Sequence, residues 1–157
     1  MMRWFCLLIG LLFLTFQPAW AGHSPPKIFL RIHIQTSGEG LPATQVAQVA
    51  LPSTGETIMI RAMPEITERD LIAVQSDASG SVHLHFNHDG QVALSVATGQ
   101  NQGRIMVVML NGFIIYAPVI DEQITNGELV LPRQFTPKAL QLLQEAAQKN
   151  VHEQNRT

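Results

Sequence analysis

The sequence predicts an α+β domain in which an antiparallel sheet of hairpins carries a C-terminal helix on one face. Three observations lead to this class. Residues 27–36 alternate between apolar and other side chains with the period of a strand. Two later apolar runs are joined by Asn111-Gly112, a dipeptide that favours a two-residue hairpin turn. After Thr136, leucine and alanine residues recur at helical spacing.

The first residues have the composition of a secretory signal peptide. Arg3 provides a positive start, Trp4 to Phe16 is apolar, and Ala19-Trp20-Ala21 fits a cleavage site. The apolar run is about a dozen residues, shorter than the roughly 20 that a spanning helix needs. We therefore predict a cleavable signal peptide over 1–21, with an uncleaved membrane anchor as the alternative. The protein is expected to be periplasmic or secreted, with no membrane span after cleavage.

Composition excludes several classes of function. Cys6 is the single cysteine and lies within the predicted signal peptide, so residues 22–157 offer no disulfide, thiol nucleophile or cysteine-ligated metal. Loss of Arg3 leaves 9 basic and 12 acidic residues, from 10 and 12 in the whole chain, and a net charge of −3. The basic residues are scattered and form no cluster that could follow a phosphate backbone. We predict no nucleic-acid partner and no cofactor.

The first half of the predicted domain reads as strands and turns. In the strand over 27–36, one face is apolar, formed by Ile28, Leu30, Ile32 and Ile34. A glycine-rich turn leads to a weaker strand, Val46 to Leu51, and the turn at 52–55 leads to another, Glu56 to Arg61. Thr67 is a candidate N-cap for one helical turn over Glu68-Arg69-Asp70.

Two segments follow before the central hairpin. Ser81 to Phe86 alternates again and predicts a strand. Asp89 to Ala97 is ambiguous, because Val92, Leu94 and Val96 also fit a strand. We interpret this second segment as a short helix or an irregular turn.

The hairpin comes next. Arg104 to Leu110 is apolar on both faces, which is typical of a central, buried strand, and Phe113 to Ala117 is its partner. Four residues are assigned to fold maintenance because they form or end turns and strands: Asn111, Gly112, Pro118 and Gly127. Gly112 is expected at positive φ.

The last predicted element is a helix over Thr136 to Asn150. Thr136 caps it and Pro137 occupies its first position. From Val151 the chain is polar, so residues 151–157 are predicted to be a disordered tail. One domain is thus expected over 22–150.

Several short motifs between residues 67 and 139 occur in the order found in a known family. They are Thr67 to Leu71, Asp77 to Gly80, Leu110-Asn111-Gly112, Ala117-Pro118-Val119-Ile120, Ile124-Thr125-Asn126-Gly127, and Phe135-Thr136 through Ala139. Together they resemble the head part of the first periplasmic domain of SecD, a membrane subunit that assists bacterial protein export. The similarity covers roughly residues 56–146.

The resemblance implies the SecD head fold, contact with translocating polypeptide and no catalysis. Two departures are visible: Asn111 stands where the family has Asp, and the segment before Gly103 is shorter. SecD couples to the proton gradient through transmembrane helices. With no predicted span after the signal peptide, this chain is expected to bind, hold or adapt rather than to act as a motor.

A histidine cluster supports an alternative hypothesis. His83 and His85 point the same way on a strand, and with Asp89 they could form the zinc site of a small metal-dependent hydrolase. The simpler interpretation is that both histidines lie on the wet face of a strand whose other face holds Val82, Leu84 and Phe86. We therefore predict no metal ligand and no catalytic residue, and interpret Asp121-Glu122 as a solvated turn.

Excess apolar surface is the stronger functional signal. The candidate binding residues are Met106, Met109, Phe113, Ile115 and Tyr116, which could form an exposed edge or groove that accepts an extended segment. The sequence thus predicts a non-enzymatic polypeptide-binding or protein-interaction module. In one alternative, Phe29 and the helix over 136–150 bury these residues completely. In another, the protein is a structural envelope component with one fixed partner.

Overall fold

The computed structural model describes residues 28–156, so the predicted signal peptide and cleavage site lie outside the described residues. The elements run in the order β1 (Leu30–Ile34), β2 (Val46–Ala50), β3 (Thr57–Arg61), β4 (Ile66–Thr67), β5 (Leu71–Ser76), β6 (Val82–Phe86), α1 (His88–Gln100), β7 (Met106–Leu110), β8 (Phe113–Tyr116), β9 (Glu128–Leu131) and α2 (Pro137–Gln154). Short 3₁₀ turns lie at Ala43–Gln45 and Glu68–Asp70. The predicted α+β class is confirmed.

The strands form three antiparallel sheets rather than one. The largest has the order β4-β1-β7-β8, the second is the hairpin β2-β3, and the third has the order β5-β6-β9. Strands β8 and β9 are therefore the outer strands of two different sheets.

Strand β7 separates two apolar clusters. Met106, Val108 and Leu110 face the main core, whereas Val107 lies in a second cluster with residues of the β2-β3 hairpin. Because successive side chains of a strand point to opposite faces, a strand covered on both sides must be apolar throughout. The prediction of a central, buried β7 is confirmed.

The β7-β8 hairpin closes as predicted. Asn111 has φ 51° and Gly112 has φ 85°, the two positive values that a type I′ turn requires. Val108 pairs with Tyr116 and Met109 with Ile114, so Ile115 is the additional residue of a β-bulge. The Asn111 side chain also accepts a hydrogen bond from the Phe29 N–H at 2.9 Å, which ties the turn to the chain entering β1.

The ambiguous segment is a helix of 13 residues, α1. The Asn87 side chain caps it by accepting a hydrogen bond from the Gly90 N–H at 2.9 Å. Leu94 is buried, whereas Val92 and Val96 are exposed. The three apolar residues that fitted a strand therefore do not share one buried face.

Helix α2 is longer than predicted and lies on a particular sheet. It ends at Gln154, so the predicted disordered tail is wrong for 151–154: this stretch contains no Gly or Pro to stop the helix. Its Leu143 and Ala147 are buried. The Gln144 side chain donates to the Val74 carbonyl at 3.2 Å, which places α2 against β5.

Within residues 28–156, none of the helices has the length and apolar character required to cross a membrane.

Candidate functional site

A groove runs between β8 and β9, the outer strands of two sheets. The two strands are not paired with each other. Arg133, just after β9, donates a hydrogen bond through Nη1 to the Ile115 carbonyl of β8 at 3.2 Å. This hydrogen bond links the two outer strands through the Arg133 side chain.

The groove has a volume of about 460 Å³, within the range of ligand-binding pockets. Its buried apolar floor includes Met106 and Leu129. At its rim, the side chains of Val119 and Val130 are 58% and 42% exposed. Apolar residues thus extend from its floor to its rim, and the loop over 121–126 adds mainly polar side chains.

The loop that follows β8 forms one wall and is held at several points. The Pro118 carbonyl accepts from the Met106 N–H at 2.9 Å, so pairing with β7 continues one step beyond the end of β8. The Thr98 hydroxyl of α1 accepts from the Ile124 N–H at 2.9 Å, and the Gln123 side chain donates to the Ser95 hydroxyl at 2.9 Å. These contacts preform the wall.

Two of the residues predicted to maintain the fold, Pro118 and Gly127, flank this wall. Strand β8 ends at Tyr116, just before Pro118, as predicted. Gly127 has φ 70°, and a Cβ there would lie 3.0 Å from the Gln91 Cβ. Its carbonyl accepts from the Phe86 N–H at 2.9 Å, so Gly127 also joins this loop to β6.

The five predicted binding residues do not form one surface. Met106 is only 3% exposed and lies in the floor of the groove. Met109 lies on the opposite face of β7, because residues three apart on a strand point in opposite directions. Ile115 packs against the main core, Tyr116 lines the groove, and Phe113 is 76% exposed at the hairpin tip.

The opposite face carries a second depression of about 490 Å³, which Met109 lines together with Phe29, Arg31, His33, Asn111 and Gly112. His33 Nδ1 donates to the Arg61 carbonyl at 2.9 Å, and burial lowers the pKa of His33. Phe29 is 43% exposed and α2 packs on β5, so the alternative in which Phe29 and α2 cover the hairpin completely is wrong.

His83 is part of a polar cluster rather than simply solvated. Its Nδ1 is hydrogen-bonded to Glu128 of β9, and its Nε2 lies 3.3 Å from Asp77 Oδ2. The hydrogen bond to Glu128, followed by that to Asp77, raises the pKa of His83. The hydrogen bond from the Ser79 side chain is the main cause that lowers the pKa of Asp77 to about 2.

The described residues contain no group of three His, Cys, Asp or Glu side chains able to hold a metal ion. His85 is half-buried, with its Nε2 atom buried and unpartnered within this part of the chain, and Asp89 lies in the first turn of α1. The two carboxylates beside His83 bind opposite ring nitrogens and so do not converge on one point.

Sequence reasoning missed Val119 and Val130 as groove residues and Arg133 as a link between β9 and β8. Val130 had a local signal, because strand alternation within the apolar run Leu129-Val130-Leu131 puts Val130 on the face opposite to the two leucines. No local pattern places Arg133 beside Ile115, since this contact joins residues 18 positions apart on two sheets.

The SecDF, P1 head subdomain family matches residues 44–148, more than half of the chain. The chain belongs to this family. The match begins before the predicted start at residue 56 and so includes the β2-β3 hairpin of this SecDF head domain. The motifs that carried the resemblance therefore identified the family correctly.

Named relatives agree with this assignment. The chain is similar to the protein translocase subunit SecD of Acidaminococcus fermentans, with 31% identity over 96 residues, which cover 55% of this chain and 23% of that protein. The chain thus spans about a quarter of this relative's length.

Solved SecDF structures share the fold of this head domain. One, of SecDF as a membrane component that enhances protein export, has a TM-score of 0.54 and 20% identity, and the match covers 78% of this chain and 62% of the other. A crystal structure of SecDF in the super-membrane-facing form has a TM-score of 0.54 and 20% identity, with coverage of 76% and 18%.

Proposed function

We propose that this chain is a non-enzymatic polypeptide-binding module associated with protein export and located in the periplasm. Membership of the SecDF P1 head family supports the association, as do relatives named as a translocase subunit and as a component that enhances export. Residues 22–150, with the continuation of α2, are proposed as its single domain. The predicted cleavage after Ala21 supports the location.

The groove between β8 and β9 carries this proposal. Outer strands offer unpaired backbone N–H and C=O groups, which bind an extended chain by strand addition. Here two such strands flank an apolar floor, so one extended segment gains backbone hydrogen bonds and side-chain burial together. The wall fixed by α1 lowers the ordering cost of binding, because it needs no rearrangement.

Site-specific photo-crosslinking tests the proposal. A photoreactive residue is placed at Val119 or at Val130, and the purified protein is mixed with an unfolded, reduced and carboxymethylated polypeptide. Met63 is the control, because it is 80% exposed but lies in the β3-β4 turn, outside the groove lining. Crosslinks at both groove positions and none at Met63 are expected. Equal yields at all three positions would contradict the proposed site.

A second candidate is a single fixed protein partner bound on the opposite face. Exposed Phe29 and Phe113 lie at the same end of β1 and of the hairpin, next to half-buried Met109. An apolar patch of this kind is typical of a protein contact. Pull-downs from periplasmic extract with the Phe113→Ser variant and with the unmodified protein distinguish the two candidates. If the variant no longer captures one stoichiometric protein, the fixed partner is supported. If the variant still captures many unfolded polypeptides, the groove is supported.

A further inference from the structure

We infer that the groove between β8 and β9 selects extended segments in which apolar residues lie next to lysine or arginine. The inference rests on the proposed polypeptide binding and specifies its substrate class. It is carried by the distribution of charge and apolar surface along the groove.

The charged side chains that line the groove are all acidic. They are Asp121, Glu122 and Glu128, and the lining contains no lysine or arginine. Asp121 and Glu122 are exposed and form no ion pair with another described residue, whereas Glu128 is hydrogen-bonded to His83. Two carboxylates are therefore available to a cation on the ligand, and a ligand carboxylate would meet like charge.

The apolar part of the groove lies directly beside these carboxylates. Val119 precedes Asp121 by two residues, and Ile120 between them is buried in the main core. The floor and the exposed rim valines can cover apolar side chains of a bound segment, while Asp121 and Glu122 remain in solvent at the rim. A lysine or arginine can reach them there without losing all its hydration.

The two ends of the groove also differ in charge. Glu128 begins β9 near the acidic loop, and Arg133 follows its other end, where the guanidinium is held by the Ile115 carbonyl. The three steps of β9 extend about 10 Å at the usual strand rise. A bound segment is therefore expected to place its basic residues towards Asp121 and Glu122 and its apolar residues along β9, away from Arg133.

Binding of three labelled ten-residue peptides to the purified protein tests this inference. They share an apolar core of six residues and differ in the flanking pair, which is Lys-Lys, Gln-Gln or Glu-Glu. We expect the Lys-Lys peptide to bind about tenfold more tightly than the Glu-Glu peptide at low salt, with the difference shrinking at high salt.

The variant Asp121→Gln with Glu122→Gln should reduce this preference to about twofold. The control is Glu39→Gln with Glu56→Gln, which makes the same change in net charge at two exposed loop positions outside the groove and should keep the preference. Equal binding of all three peptides would overturn the inference while leaving polypeptide binding intact. Failure of every peptide to bind would overturn both.

Discussion

Asn111 and Gly112 hold the β7-β8 turn by backbone conformation. Both have positive φ, and a Cβ added to Gly112 would meet nothing within 4 Å. The turn therefore needs glycine for its dihedral angle and not for space. His83 contributes differently, because its two ring nitrogens join the β5-β6 turn to β9.

Gly112→Val should destabilise the domain by roughly 1–3 kcal/mol, because a β-branched side chain at positive φ strains the backbone. Since Gly112 lies outside the groove lining, peptide binding at a temperature where the variant is folded should be unchanged. Chemical denaturation and the peptide assay measure the two effects. An unchanged melting temperature with lost binding would show that the turn is a contact surface.

His83 should make stability depend on pH near neutrality. Its folded pKa is raised, so its stabilising contribution is fully present below the unfolded value of 6.5 and is lost as pH rises through the folded value. Asp77 acts in the opposite direction: its contribution is present above 3.8 and is lost as pH falls towards about 2. The cluster of His83, Asp77 and Glu128 therefore contributes most to the stability of the domain between about pH 3.8 and pH 6.5.

Melting temperatures between about pH 6 and 8 test this behaviour. The unmodified protein should lose more stability across that range than His83→Gln, which has no imidazole to titrate. His88→Gln is the control because His88 is exposed at the start of α1. Parallel pH profiles for all three proteins would contradict a stabilising role of the cluster.

The end of helix α2 is held by a side chain that the sequence analysis took as its last residue. The sequence placed the helix end at Asn150, a residue type common at helix ends. In the fold Asn150 lies inside the helix, and its side-chain amide donates to the carbonyls of Glu68 at 2.7 Å and Leu71 at 2.8 Å. Asn150 thus fastens α2 to the start of β5.

Asn150→Ala should lower the free energy of unfolding by about 1–3 kcal/mol, because two partly buried carbonyls each lose a hydrogen bond. Gln148→Ala is the matched control, since Gln148 is exposed on the same helix and should change stability by no more than about 0.5 kcal/mol. Urea denaturation of both variants gives the comparison. Equal stabilities would show that the two hydrogen bonds of Asn150 do not contribute to holding the helix.

For the molecule as a whole, the family assignment and the predicted signal peptide lead to one simple experiment. We expect the exported protein to begin at Gly22, because Ala19-Trp20-Ala21 fits the small-residue cleavage pattern. Intact mass spectrometry of periplasmic and membrane fractions measures this. Recovery with membranes of a mass that includes Met1 to Trp20 would support the anchor instead.

The sequence by itself determined the features that depend on neighbours a few residues away. The Asn-Gly turn, the Thr136 cap with Pro137, and the alternation of β1 and β6 follow from backbone preferences and local periodicity. For the same reason the ordered turn motifs identified the SecDF head family. Asp89 to Ala97 stayed ambiguous because its apolar spacing fits both periods, and capping by Asn87 resolved it.

Only the tertiary structure decided which surfaces meet. It buried Met106 in the main core, brought Glu128 to His83 across 45 positions, and joined β9 to β8 through Arg133. Local propensity cannot specify such contacts, because the pairing of distant strands depends on how the whole chain buries its apolar faces. The groove lies between the outer strands of two different sheets, and of the five predicted binding residues only Met106 and Tyr116 line it.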